Sequence, residues 1–106
     1  MTEVTFNFSD NLICGFLISG HSGYGEEGYD IVCSAISSAA YMTANTITEI
    51  QHLNDVQVTE SDGFISMNLS KDDAEKAQTI LQGLKLHLTA LSEQYPNYIK
   101  VNNSEV

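Results

Sequence analysis

A glycine-rich stretch near the start of the chain separates an apolar run from a helical one, and this arrangement constrains the fold more than any other feature. The stretch runs from Gly20 to Ser34, with a histidine, His21, near one end and a cysteine, Cys33, near the other. The run before it, Leu12 to Ser19, is apolar enough for a buried strand. We therefore expect a strand, a loop and a helix in this order, with an ionisable base and a thiol at the two ends of the loop.

The residues after the loop predict a long helix. Apolar side chains recur at helical spacing, so we expect this helix to run from about Ile31 to about Leu53. Asp30, directly before it, is a residue type that caps helix N-termini. Small side chains crowd the first turns and favour close packing against a sheet or another helix: Ser34, Ala35, Ser37, Ser38, Ala39 and Ala40.

Two hairpins are predicted, one on either side of this helix. Val4 to Phe8 alternates between apolar and polar residues, and Ser9 to Asn11 is turn material before the apolar run at 12–19. Val56 to Glu60 also alternates, and a turn at 61–63 leads into Phe64 to Leu69. We expect both pairs of strands to be antiparallel.

The last third of the chain predicts a second helix and a short strand. Ser70 begins a sequence similar to a capping box, and leucines at helical spacing follow as far as Tyr95, where Pro96 stops the helix. Tyr98 to Val101 favours a strand, and residues 102–106 are expected to fray. The predicted order is therefore ββαββαβ, an α+β fold with two long helices packed on a mainly antiparallel sheet, in one domain spanning 1–106.

The net charge of the chain limits the classes of molecule that it is expected to bind. There are 14 acidic residues against four lysines and no arginine, a net charge of −10. Such a surface repels nucleic-acid phosphate and anionic lipid, so we expect no direct nucleic-acid binding and no membrane partner. It attracts basic proteins, although acidity also serves solubility alone.

Location and cofactors are judged from the signals that the sequence lacks. No apolar run reaches membrane-span length and the N-terminus has no secretory pattern, so we expect a cytoplasmic protein. The two cysteines form no disulfide framework, and the histidines and cysteines lack paired metal-ligand spacing. We therefore expect neither a metal nor a cofactor.

The glycines of the loop match a dinucleotide-binding pattern only in form. Gly23, Gly25 and Gly28 have the spacing of that fingerprint, between a strand and a helix. Glutamates lie inside the loop, where a pyrophosphate would have to approach, and a hairpin follows the helix instead of a parallel strand. We interpret the glycines as hinges of a mobile active-site loop, residues 22–29.

Cys33 and His21 are the candidate catalytic residues. As the third helical residue, Cys33 lies near unpaired backbone N–H groups and the positive end of the helix dipole, which favour the thiolate. His21 could fold back across the loop to ionise the thiol and later protonate a leaving amine. Asp30 could cap the helix or orient His21, and Ser37 could bond the sulfur or, by default, the Cys33 carbonyl.

Structural explanations compete with this one. Cys33 could simply fill space under a helix while His21 is exposed to water. Cys14, in the middle of the second strand, is expected to be a small buried hydrophobe. His52 and His87, alone on the predicted helices, are expected to be surface or boundary residues.

The residues around the loop resemble a known family, the bacterial ribosomal-processing cysteine proteases named Prp. The resemblance rests on a histidine, an eleven-residue gap and a cysteine inside an intact Asp-Ile-Val-Cys run, and it extends over essentially the whole chain. Ser22 and Ser34 stand where alanine is commoner in that family. The two segments that carry the match are Gly20-His21-Ser22-Gly23-Tyr24 and Gly28-x-Asp30-Ile31-Val32-Cys33-Ser34-Ala35-Ile36-Ser37.

The resemblance implies an endopeptidase that removes an N-terminal extension from large-subunit ribosomal protein twenty-seven, a basic protein. It implies that Cys33 is the nucleophile and His21 the general base, with Asp30 and Ser37 in support, and that the enzyme is a homodimer. It also implies a substrate-binding loop made of Gly20, Ser22, Gly23, Tyr24, Gly25 and Gly28.

Two further expectations concern mechanism and its alternative. The oxyanion of an acyl-transfer reaction is most simply stabilised by backbone N–H groups at the start of the first helix. The alternative is a non-enzymatic assembly factor, an acidic chaperone that holds a basic ribosomal protein and uses Cys33 only for packing.

Overall fold

Five strands form one sheet, and the helices cover one of its faces. The computed structural model describes residues 1–26 and 30–106, so the end of the predicted loop, including Gly28, lies outside the described residues. The strands are β1 (Thr2–Ser9), β2 (Leu12–Ser19), β3 (Val56–Ser61), β4 (Phe64–Leu69) and β5 (Ile99–Glu105), and the helices are α1 (Ile31–Asn45), α2 (Lys71–Lys76) and α3 (Gln78–Gln94).

The strand order is β3-β4-β2-β1-β5, antiparallel except where β1 runs parallel to β5. Period-two alternation sends one set of side chains toward the helices, where Phe6, Phe16 and Met67 lie side by side on neighbouring strands and are fully buried. Thr5 and Leu17, on the opposite face, are only half-buried. This confirms the predicted α+β class and the mainly antiparallel sheet.

Both hairpins form as predicted, with turns that suit their residues. Asp10 and Asn11 adopt positive φ angles of 52° and 64°, the geometry of a two-residue turn that matches strand twist. Cys14 lies at an irregularity in the pairing of β1 with β2, half-buried against the core, and its Sγ donates to the Asn7 carbonyl at 3.4 Å. The prediction of a packing role for Cys14 agrees with this position.

The first helix ends earlier than predicted. After α1 the chain makes a π-helical segment, Thr46–Ile50, and His52 then takes a φ of 55°, which ends the helix before Leu53. Thr46 and Thr48 direct their hydroxyls to the carbonyls four residues back, and such bonds bend helices.

The second predicted helix is two helices. Ser70 caps α2 by accepting from the Asp73 N–H at 3.3 Å, as predicted, but the Asp73 carboxylate accepts from the Asp55 N–H instead of returning to Ser70. At Ala77 the chain leaves helical geometry. Beside the break, the side-chain amide of Gln78 donates to the Ala74 carbonyl at 2.8 Å, and the Ala77 N–H bonds the same carbonyl at 3.1 Å.

The predicted frayed tail is wrong. β5 continues to Glu105 and pairs with β1 over its whole length, from Thr2 opposite Ile99 to Phe8 opposite Glu105. The outer edge of β1 would otherwise carry unpaired N–H and C=O groups, which the tail satisfies. Within the described residues, no helix is both long and apolar enough to cross a membrane.

Candidate active site

A cavity of about 400 Å³ opens where the first turn of α1, the end of β2 and the β3–β4 turn meet. His21, Asp30, Cys33 and Ser37 all line it. The fold therefore brings the four predicted catalytic and supporting residues to one place. Apolar side chains from the sheet and from α1 also line the cavity: Ile18, Ile36, Phe64 and Ile65.

Cys33 is the third residue of α1, as predicted, and is half-buried. Its Sγ accepts a hydrogen bond from the Ser22 backbone N–H at 3.2 Å and donates one to the Ser22 hydroxyl at 3.5 Å. Ser22 itself is 2% exposed. The sulfur is thus held by the loop that precedes the helix.

Asp30 connects the helix start to the same loop. Its Oδ1 accepts from the backbone N–H groups of Val32 and Cys33, each at 3.0 Å, and its Oδ2 accepts from the Ser22 hydroxyl at 2.5 Å and the Gly25 N–H at 3.3 Å. Burial favours the neutral acid and acts to raise the pKa of Asp30, but the hydrogen bonds from Ser22, Cys33 and Gly25 outweigh it and lower that pKa to about 2. Asp30 is therefore an ionised helix cap.

Of the two roles left open for Asp30, the structure shows the cap. In the described part of the chain its hydrogen bonds go to the loop and the helix start, and none goes to His21. The cap also occupies the N–H groups of Val32 and Cys33, while Ser34 N–H bonds the Asp30 carbonyl at 3.0 Å. These three N–H groups are thus already hydrogen-bonded in the structure, and the expectation that the helix start stabilises an oxyanion stays a prediction.

His21 also lines the cavity and is exposed, and its ring lies against Gly63 in the β3–β4 turn. A Cβ atom placed on Gly63 would lie only 2.9 Å from the Nε2 of His21. The imidazole fits against the turn because Gly63 has no side chain. Gly20 N–H also bonds the Gly63 carbonyl at 2.8 Å. His21 and Cys33 share the cavity, and no hydrogen bond joins these two described side chains.

Ser37 lies one turn beyond Cys33 on α1, exposed to the cavity. Among the described residues it makes neither of the two hydrogen bonds considered for it, to the Cys33 sulfur or to the Cys33 carbonyl. Its hydroxyl is thus available to the cavity.

Tyr24 holds the first half of the loop against the segment between α3 and β5. Its ring packs edge-on against Tyr95 and Tyr98, with centroids 5.4 Å and 5.1 Å away. The sequence places Tyr24 in the loop but carries no local signal of these partners, which are about seventy residues away along the chain. At Asp62-Gly63 the sequence predicts only a turn, although this turn forms one wall of the cavity.

Other groups bear on chemistry less directly. Tyr41 donates its hydroxyl to Glu60 at 2.7 Å, and this bond raises the pKa of Tyr41. His52 and His87 are exposed, as expected. No group of three metal-ligating side chains occurs in residues 1–26 and 30–106.

Comparison with known proteins decides the family. The model of the cysteine protease Prp family matches residues 1–100. The chain belongs to this family. The resemblance noted in the sequence is confirmed, and the protein is a cysteine protease.

Named relatives and solved structures agree with this assignment. The ribosomal processing cysteine protease Prp of Staphylococcus aureus is 26% identical over 101 residues, 94% of each chain, and that of Bacillus subtilis is 22% identical over 110 residues, 98% of each. The crystal structure of the S. aureus protease with a covalently linked product peptide matches with a TM-score of 0.84, 26% identity and coverage of 98% and 100%. A protein from Streptococcus mutans matches with a TM-score of 0.82, 26% identity and coverage of 100% and 96%.

Proposed function

We propose that this Prp-family chain removes an N-terminal extension from large-subunit ribosomal protein twenty-seven, with Cys33 as the nucleophile and His21 as the general base. The observation that carries the proposal is the shared cavity, which is lined by a thiol on the first turn of a helix and by an imidazole that lies against the β3–β4 turn. The relatives in S. aureus and B. subtilis, named as ribosomal processing proteases, support the substrate class.

The proposed reaction is acyl transfer through a thioester. His21 takes the proton of the Cys33 thiol, the thiolate attacks the scissile carbonyl carbon, and the imidazolium then protonates the leaving amine as the peptide bond breaks. Water, losing a proton to His21, attacks the thioester carbon, the C–S bond breaks, and the imidazolium returns that proton to the Cys33 sulfur. The acid product releases its remaining proton to solvent and leaves as the carboxylate. No metal or cofactor takes part in these steps.

Cys33 and His21, the proposed catalytic dyad, have to come together for the first proton transfer. In the structure the sulfur is bonded to Ser22 and the imidazole rests against Gly63. Proton transfer requires the two groups within hydrogen-bond reach, and such contacts often tighten only when substrate is bound. We propose that substrate entering the cavity brings His21 toward Cys33.

The supporting residues have separate roles in this proposal. Asp30 fixes the first turn of α1 and the loop, while Ser37, exposed in the cavity, presents its hydroxyl to the substrate. The substrate-binding loop comprises Gly20, Ser22, Gly23, Tyr24, Gly25 and Gly28, and we propose that the stretch 22–29 moves over bound substrate.

Charge favours the proposed substrate. The net charge of −10 attracts a basic ribosomal protein, and Asp62 places an acidic side chain on the cavity wall itself. Long-range attraction of this kind raises the rate of encounter more than the final affinity.

We further propose that the enzyme is cytoplasmic and a homodimer, as the family resemblance implies. Light scattering after size exclusion is expected to give twice the 11.6 kDa mass of the chain. A mass of one chain at micromolar concentration would refute the dimer.

Cleavage of the substrate tests the proposed function directly. The purified protein is incubated with ribosomal protein twenty-seven from the same genome, and loss of the N-terminal extension is followed by mass spectrometry. Cys33→Ala is expected to abolish cleavage, and His21→Ala to reduce it by about a hundredfold or more.

The other cysteine and another histidine supply matched controls. Cys14→Ser and His87→Ala change the same residue types outside the cavity, and both are expected to cleave like the wild type. If Cys33→Ala cleaves as fast as the wild type, the nucleophile is wrong. If the wild type binds the ribosomal protein but cleaves nothing, the assembly-factor alternative is favoured.

A further inference from the structure

Ser22 contacts the Cys33 sulfur with two of its atoms, the backbone nitrogen and the hydroxyl oxygen. Its backbone N–H donates to the sulfur at 3.2 Å, and its hydroxyl oxygen accepts from the thiol at 3.5 Å. The hydroxyl also donates to the Asp30 carboxylate at 2.5 Å and accepts from the Tyr24 N–H at 3.2 Å. A side chain only 2% exposed thus makes three hydrogen bonds within the site.

The strengths of these bonds differ and decide what the hydroxyl does. A short bond from a hydroxyl to a buried carboxylate is charge-assisted and strong, whereas a thiol is a weak donor. The hydroxyl is therefore held mainly by Asp30. Because it fixes the side chain, this bond also fixes the direction of the Ser22 backbone N–H toward the sulfur.

The same hydroxyl changes the charge that the sulfur experiences. A carboxylate beside a thiol disfavours the thiolate, because the two negative charges repel. By donating to Asp30, Ser22 satisfies part of that negative charge, while its backbone N–H remains a donor to the sulfur after the proton leaves.

We propose that Ser22 is a positioning residue for the nucleophile: its hydroxyl, anchored on Asp30, keeps its own backbone N–H directed at the Cys33 sulfur. This rests on the proposed role of Cys33. Ser22 acts through Cys33 and takes no part in bond making.

Alkylation of the free enzyme tests the proposal without any substrate. Cys33 of the wild type, Ser22→Ala and Ser22→Thr is labelled with iodoacetamide at about pH 7, and the rates at Cys33 and Cys14 are read from separate peptides. Ser22→Ala is expected to lower the Cys33 rate about fivefold, the size of one net hydrogen bond, while Ser22→Thr stays within about twofold of the wild type. The Cys14 rate is the internal control and is expected to be unchanged.

A second measurement separates this role from a purely structural one. At about pH 10, where cysteine thiols are ionised, Ser22→Ala and the wild type are expected to react at similar rates. The other ionisable groups that line the cavity in the described chain, His21, Asp30, Tyr41 and Asp62, are the same in both proteins. If the extra methyl of threonine does not fit the buried site and Ser22→Thr does not fold, the comparison of Ser22→Ala with the wild type at the two pH values still tests the proposal.

Any one of three results would overturn the proposal. The first is an alkylation rate at Cys33 of Ser22→Ala that equals or exceeds the wild-type rate near pH 7, and the second is a folded Ser22→Thr that reacts as slowly as Ser22→Ala. The third is a Cys33 rate of Ser22→Ala that stays below the wild-type rate at about pH 10. Absence of substrate cleavage by the wild type would instead refute the proposed function, and the alkylation rates would still report on Ser22.

Discussion

The Asp30 carboxylate connects the first turn of α1 with the loop beside Cys33. Asp30→Asn keeps one oxygen for the helix N–H groups but replaces the acceptor of the Ser22 hydroxyl with a donor. Loss of the charged acceptor is expected to lower the free energy of unfolding by about 1–3 kcal/mol near neutral pH.

The pH dependence of this loss follows from the pKa of Asp30, which is about 2 in the folded protein against an ordinary 3.8. A lowered folded-state pKa stabilises the fold above pH 3.8, and this contribution disappears as the pH falls through about 2. Urea unfolding of the wild type and Asp30→Asn is therefore expected to show a difference that is constant above about pH 5 and shrinks below about pH 4. A difference independent of pH would contradict the ionised cap.

The cap could be predicted from the sequence because it depends on residues two and three positions away. The contact of Ser22 with Cys33 could not, because it joins residues eleven apart across a loop whose path depends on tertiary packing. The position of His21 against Gly63 had no local signal either, since it follows from the pairing of β2 with β4. The sequence thus predicts which residues line the cavity but not the contacts that they make.

At the scale of elements, β5 supplies the clearest test of the fold. Deleting residues 102–106 removes the partners of the second half of β1, from Thr5 to Phe8. Several ladder hydrogen bonds are lost, each with a net contribution of about 0.5–1.5 kcal/mol, so we expect the free energy of unfolding to fall by at least about 2 kcal/mol. Deleting Val106 alone removes one bond, to the Phe8 carbonyl, and is the matched control. Equal melting temperatures for the wild type and the 102–106 deletion would show that the tail frays, as its sequence predicts.

The errors at this scale share one cause. Residues 102–105 are polar and lack strand alternation, yet they pair because β1 offers an open edge. The break between α2 and α3 likewise lies beside a residue bonded to a distant element, Gln78, whose side chain donates to the Ile13 carbonyl at 2.7 Å on β2. Hydrophobic periodicity predicted the helices and hairpins, whereas bonds between distant elements set their ends.

For the whole molecule, the two-layer arrangement was predictable because strand alternation and helical spacing both define one apolar face. Charge is the other property that belongs to the whole chain, since a net charge of −10 acts over distances beyond any single contact. Its effect on catalysis can be separated from that of the cavity by comparing a basic substrate with a small neutral one.

Under the proposed function, salt is expected to slow cleavage of the intact basic ribosomal protein more than cleavage of a neutral peptide with the same cleavage site. Both substrates use the same dyad, but only the protein is attracted by the acidic surface, and ions screen that attraction over about 10 Å at 0.1 M. Raising sodium chloride from about 0.05 M to about 0.5 M is expected to lower kcat/KM for the protein about tenfold and for the peptide less than twofold. Asp62→Asn separates the cavity wall from the overall charge: if the wall dominates, this single change removes most of the salt dependence, and if the whole surface acts, it removes only a small part. Equal salt dependence for protein and peptide would show that the acidity of the chain does not guide this substrate to the site.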